Sequence, residues 1–93
     1  MLVKIKIYYY EVFGNGSINL ELDDGARLSD VLNELNRKFG EKFKKRTGRK
    51  LEEAFENLFN VFLNGTTLRL PAEIERELKE ADELVILRPV SGG

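Results

Sequence analysis

An α+β fold, one mixed sheet wrapped around a single main helix, is what this sequence predicts, and three patterns predict it. Two apolar–polar alternations open the chain, one clean helical face follows, and a run apolar on both faces comes last. Strands and helix segregated in this way, without regular βαβ alternation, mark an α+β domain.

Val3, Ile5, Ile7 and Tyr9 alternate with Lys4, Lys6 and Tyr8, the period of a strand with one buried face. Gly14-Asn15-Gly16 signals a turn, and Ile18, Leu20 and Leu22 resume the alternation, so the two segments read as a hairpin. Tyr8 and Tyr10 fall on the face opposite Val3, Ile5 and Ile7, as half-exposed packing or an aromatic surface for a partner subunit. After Asp24-Gly25, the residues Leu28, Val31, Leu32, Leu35 and Phe39 recur at spacings of three and four and share one helical face. Ser29 and Asp30 suit its first turn, and Gly40 is placed to end it as a left-handed residue. Residues 41–50 are apolar only at Phe43 and read as a charged loop. Leu51, Ala54, Phe55 and Leu58 give a short second helix, so loop and helix form an insert at about 40–57. Val61-Phe62-Leu63 precedes Asn64-Gly65, a strong hairpin signal, and Thr66-Thr67-Leu68 is the brief return strand. Pro71 breaks the ladder, and Ile74 and Leu78 read as a helical turn. Leu84-Val85-Ile86-Leu87 has the character of a central strand with parallel neighbours. Strand, strand, helix, short helix, strand, short strand, strand is the β-grasp order. The domain is expected to span residues 1–88, followed by a projecting tail, 89–93.

Composition narrows the chemistry. At 93 residues the chain makes one domain, burying about 60–65% of its unfolded surface. A 42% hydrophobic share with six Phe and three Tyr belongs to a globular chain. With no Cys and no His, thiolate nucleophiles, Cys–His and Ser–His pairs and the usual zinc or copper ligand sets are absent. No apolar run reaches the length of a membrane span, and the first residues enter a strand pattern without a signal-peptide profile. A cytoplasmic protein without membrane association is the expectation.

Charge is unevenly placed around a net of −1. Between positions 37 and 50, eight basic residues stand against Glu41 alone, and between 73 and 83 six acids stand against Arg76 and Lys79. The basic run has no aromatic platform or helix–turn–helix, so nucleic acid is not the expected partner. It reads as a solvated loop, with a lip that attracts a partner or a phosphate as the second reading. The acids match no calcium-loop spacing and read as a surface patch.

Arg88-Pro89 leaves the last strand, since Pro has no N–H to donate, and Val90-Ser91-Gly92-Gly93 has nothing apolar and periodic to anchor it. A glycine pair lacks Cβ atoms, so it can thread a narrow tunnel and expose a carboxylate. Two final glycines arise by chance in roughly one chain in 200 at ordinary glycine usage.

Phe62-Leu63-Asn64-Gly65, the stretch Leu78-Lys79-Glu80-Ala81-Asp82-Glu83-Leu84, and Pro89-Val90-Ser91-Gly92-Gly93 together resemble the small subunit of molybdopterin synthase. The resemblance extends over the chain apart from roughly 40–57, and members usually carry Gly-Asp where this chain has Ala81-Asp82, and often two prolines where it has Arg88-Pro89. That family consists of ubiquitin-like sulfur carriers, related to the thiamine-pathway carrier and the archaeal ubiquitin-like modifiers. The resemblance implies a carrier without catalytic side chains and without a bound cofactor. It implies that an adenylating enzyme related to ubiquitin activators uses ATP on the Gly93 carboxylate, and that a sulfur donor converts it to a thiocarboxylate. Arg88, Pro89, Val90, Ser91 and Gly92 would then be the arm threaded into the large subunit of molybdopterin synthase, where sulfur passes to a pterin precursor. Two further functions stand beside it: a protein modifier joined through Gly93 to target lysines, and a plain binding module that uses its sheet face and basic insert.

Overall fold

The computed structural model describes residues 1–9, 13–14 and 16–88. Strands β1 (Leu2–Tyr8), β2 (Ser17–Glu21), β3 (Asn60–Leu63), β4 (Thr66–Thr67) and β5 (Glu83–Leu87) form one sheet in the order β2-β1-β5-β3-β4. The alternation in β1 resolves as the sequence predicts: Val3, Ile5 and Ile7 are at most 1% exposed, while Leu2 and Tyr8 lie open on the other face. β1 pairs antiparallel with β2, where Ile5 stands opposite Ile18. The connection returns through Gly16, whose φ is 78° and whose carbonyl accepts a hydrogen bond from the Ile7 amide at 2.7 Å. A Cβ there would lie 2.5 Å from the Ile7 carbonyl oxygen, so the turn needs a glycine. Asn15 and Tyr10 lie outside the described residues.

β5 occupies the centre, parallel to β1 on one edge and antiparallel to β3 on the other. The expectation of parallel neighbours therefore holds for one edge only. A strand paired on both sides, with Leu84 and Ile86 facing the core and Val85 and Leu87 half-buried opposite, reads as apolar whichever direction its neighbours run.

Helix α1 spans Leu28–Thr47, longer than the sequence suggests. Gly40 does not stop it, and residues 41–47 are helix rather than loop. The reason is Phe43, which continues the Leu35–Phe39 spacing and is 2% exposed in the core. Burying an aromatic side chain is worth more than the roughly 1 kcal/mol that an interior glycine costs. The basic residues around it are good helix formers, and Lys44, Lys45 and Arg46 lie in the last turn, where the helix dipole favours positive charge. The left-handed stop is Gly48, with φ at 76° and its N–H donated to the Lys44 carbonyl at 2.8 Å. Three residues on, helix α2 (Leu51–Asn57) packs Leu51, Ala54 and Phe55 into the same core. The insert is thus a helical hairpin.

The first turn of α1 is capped from outside. Leu28 and Ser29 donate their amides to the carbonyls of Arg76 and Ile74, at 2.9 and 2.8 Å, and Asp30 accepts the Arg27 amide at 2.7 Å. The same contacts correct the helical turn expected at Ile74 and Leu78. The Ile74 carbonyl is occupied by Ser29, and the Leu78 amide donates to Ala26 instead, at 2.9 Å. Leu78, 2% exposed, is an anchor that ties the loop after β4 to the α1 entrance.

A prediction tests the length of α1. Phe43→Ala should destabilise the fold by about 3–5 kcal/mol in urea unfolding, whereas Lys44→Ala should change stability by no more than about 0.5 kcal/mol. A Phe43→Ala loss under about 1 kcal/mol would return residues 41–47 to a loop.

Candidate functional site

Of the residues expected to form the arm, the described structure contains one. Pro89, Val90, Ser91, Gly92 and Gly93 lie outside the described residues, and Arg88 is the last inside them. Arg88 comes directly after the end of β5 and places its guanidinium carbon 4.9 Å from the centroid of the Tyr9 ring. A cation held over an aromatic face contributes about 0.5–1 kcal/mol at an exposed site. Tyr9 is itself set edge-on against Phe43 and Phe59, at 5.9 and 6.1 Å between centroids. The root of the arm is therefore seated on an aromatic cluster continuous with the core.

The other end of β5 is fixed by a polar junction. Asn64 heads the turn between β3 and β4 at φ 49°, and its side-chain NH₂ donates to Asp82 Oδ1 at 2.9 Å. Its Oδ1 accepts the Glu83 amide at 2.9 Å, while its own amide donates to the Glu83 carbonyl at 2.8 Å. Asp82, 8% exposed, uses its second oxygen to accept the Lys79 amide at 2.7 Å. Its backbone carbonyl accepts from Lys4 at 3.0 Å. One Asn–Asp pair thus joins the β3–β4 turn, the entry to β5 and, through Lys4, the start of β1. Immediately before it Ala81 stands at φ 67°, a conformation that favours glycine. The sequence marks Asn64 only as a turn residue. Its side-chain role depends on Asp82, 18 positions away, and no local pattern carries that.

On the sheet face away from α1, the pairing register brings Val85 between Lys6 and Phe62, and Leu87 between Tyr8 and Asn60. Val85, Leu87 and Phe62 are half-buried and Tyr8 is exposed, so this face has an apolar centre edged by Lys4 and Lys6. No helix covers it among the described residues. Sequence reasoning placed Tyr8 here but not Phe62, because register is set by pairing.

The acidic segment is largely spent on holding its own loop. Glu73 accepts the Arg69 amide at 2.7 Å and pairs with Arg76 at 3.0 Å, and these contacts hold its carboxyl below the usual range. Glu83 faces Lys6 at 3.8 Å. The basic segment is spent far less. Arg37 folds onto Glu34 at 3.0 Å, lowering that carboxyl, and Arg49 approaches Glu53 at 3.9 Å. Lys42, Lys44, Lys45 and Arg46 form no ion pair among the described residues and are exposed.

The ThiS family model matches residues 4–93. Among solved structures, small archaeal modifier protein 1 from Methanosarcina acetivorans is 31% identical. It aligns over 99% of this chain and 96% of its own, with a TM-score of 0.69. A proposed molybdopterin converting factor subunit 1 from Pyrococcus furiosus is 27% identical over 96% of this chain and 98% of its own, also at 0.69. Small archaeal modifier protein 1 from Haloferax volcanii, at 23% identity, full coverage of both chains and a TM-score of 0.73, shares the fold. No curated protein matches the sequence.

The junction yields a prediction in two parts. Asp82→Ala strands the Asn64 side chain and the Lys79 amide and should cost about 1–3 kcal/mol, with a double-mutant cycle to Asn64→Ala giving clear coupling. Ala81→Gly should stabilise by about 0.5–1 kcal/mol by relieving the left-handed backbone. Additive behaviour of the first pair in denaturant titrations would mean the hydrogen bonds act separately.

Proposed function

The chain belongs to the ThiS family of ubiquitin-like sulfur carriers, and on that premise we propose that it is the small subunit of a molybdopterin synthase. Gly93 carries the sulfur. An activating enzyme brings ATP, a Gly93 carboxylate oxygen attacks the α-phosphorus, and pyrophosphate leaves. A sulfur donor then displaces AMP from the acyl adenylate and leaves a thiocarboxylate. The loaded arm, Pro89 to Gly93, enters the large subunit, and the chain's own side chains bind and position without taking protons.

The observation that supports this most directly is the seating of the arm. Its root, Arg88, extends the central strand and lies over Tyr9, while the residues beyond it are the Pro-Val-Ser-Gly-Gly sequence included in the family match. The likeness to a converting-factor subunit supports the molybdopterin branch. A second reading has its own support: the 31% identity to a small archaeal modifier protein fits a chain that is joined through Gly93 to lysines. The thiamine pathway would use the same activated arm. Mass analysis of protein from its native host separates a carrier from a modifier. A sulfur-for-oxygen exchange at Gly93 marks a carrier, and branched Gly93–lysine peptides mark a modifier.

Partner recognition draws on more than the arm. A specific interface buries about 1,200–2,000 Å² in total, far more than five residues supply. The apolar centre at Val85, Leu87, Phe62 and Tyr8 is the surface proposed to provide the rest.

Deleting Gly93 should abolish thiocarboxylate formation while leaving the melting temperature within about 1 °C, as for a surface change; a drop of many degrees would make the tail structural. Phe62→Asp should weaken binding to the activating enzyme by about tenfold or more with the arm intact. A synthetic peptide of residues 88–93 adenylated as efficiently as the whole chain would remove the sheet face from the interface.

A further inference from the structure

Beside the arm root, on the edge away from the outer sheet face, a groove of 310 Å³ opens between the end of β1, the last turn of α1 and α2. Its floor is apolar: Tyr9, Leu58 and Phe59 are half-buried, over Phe43. Its rim carries Arg46 and Arg49, both exposed, and among the described residues that line it none is acidic. The unpaired Lys44 and Lys45 lie in the same last turn of α1.

We infer that this groove docks an acidic segment of a partner protein, with one aromatic or aliphatic side chain on the apolar floor and flanking carboxylates on Arg46 and Arg49. Two requirements select that occupant. Covering the floor needs an apolar group, because a bare phosphate or sugar would leave Tyr9, Leu58 and Phe59 wet. The rim needs planar anions, since a guanidinium is weakly hydrated and pairs with carboxylates through parallel hydrogen bonds. The surrounding positive field draws such a segment in and repels a basic one. Arg49 leaves its exposed contact with Glu53, at 3.9 Å, at little cost. The inference goes beyond the carrier chemistry and does not require it, since the groove consists of described residues alone. It also differs from the outer sheet face, which among the described residues presents no arginine pair.

The test uses the whole chain, ¹⁵N-labelled, titrated with a short capped peptide in which one phenylalanine is flanked by glutamates. Saturating amide shifts are expected at Arg46, Arg49 and Phe59, weakening as salt rises. Arg46→Glu with Arg49→Glu should reduce the affinity about tenfold or more, while the charge reversed in the last turn of α1 lowers the melting temperature by no more than about 8 °C. The milder Arg46→Ala and Arg49→Ala pair should give a smaller loss in the same direction. Replacing the peptide's phenylalanine with alanine should also weaken it. Equal binding of a lysine-flanked peptide would overturn the inference, as would shifts confined to Val85, Leu87 and Phe62. So would tighter binding of an oligonucleotide than of the peptide. A chain shortened to residues 1–88 that binds the peptide more tightly would show instead that the protein's own tail fills the groove. Thiocarboxylate formation is read separately, so either conclusion can fail without the other.

Discussion

Hydrogen bonding of β5 on both edges is the constraint on which the rest of the structure depends. β5 joins the two halves of the sheet, parallel to β1 from the beginning of the chain and antiparallel to β3. Without it, the β1–β2 hairpin and the β3–β4 hairpin have no common edge, and Leu84 and Ile86 leave the middle of the core. It is also the last strand in sequence. The loop closed between Lys4 and Glu83 spans most of the chain, so the pairing that completes the sheet bears the largest closure entropy. This bears on the role proposed for the segment beyond β5. The strand cannot peel away without taking Leu84 and Ile86 out of the core.

The two ends of β5 are held by different physics. At its start, Asn64 and Asp82 make directional hydrogen bonds that set where the strand enters, with the local strain of Ala81 beside them. At its end, Arg88 lies over Tyr9, a contact with little directional demand. The Asn64 and Asp82 contacts at the entry hold the register of the strand.

How much of the fold could be read from the sequence depends on the range of the forces involved. Alternation in β1 and β2 and the α1 face from Leu28 to Phe39 are local, and they appear in the structure as read. The length of α1 was not legible because Gly40 and a dense run of bases argue locally for a stop, while the deciding term is the distant packing of Phe43 on Tyr9 and Phe59. Ile74 and Leu78 have helical spacing, yet the Ile74 carbonyl and the Leu78 amide are claimed by Ser29 and Ala26, far away in sequence. The candidate site divides in the same way. The glycine pair and Arg88 are visible in the sequence, whereas the apolar centre around Val85 and Phe62 exists only once register is set.

Charge obeys a further logic. Most acids from Glu73 to Glu83 are bound into their own loop and its neighbours, with Glu73 on Arg69 and Arg76, Asp82 on Asn64 and Lys79, and Glu83 near Lys6. They act as short-range fasteners, and their field beyond the loop is partly cancelled. The bases of the α1 C-terminal half have the dipole of their own helix as their main compensation. That compensation makes a positive ridge tolerable to the helix without neutralising it at a distance. The helix thus carries a cluster of like charges at small cost to stability, and their field extends to about the Debye length, some 8–10 Å at ordinary ionic strength. Arg46 and Arg49 border the groove floored by Tyr9, which is also the ring under Arg88. The same aromatic side chain therefore connects the root of the arm to the edge of the positive ridge, so an acidic surface drawn to that ridge would arrive beside the arm.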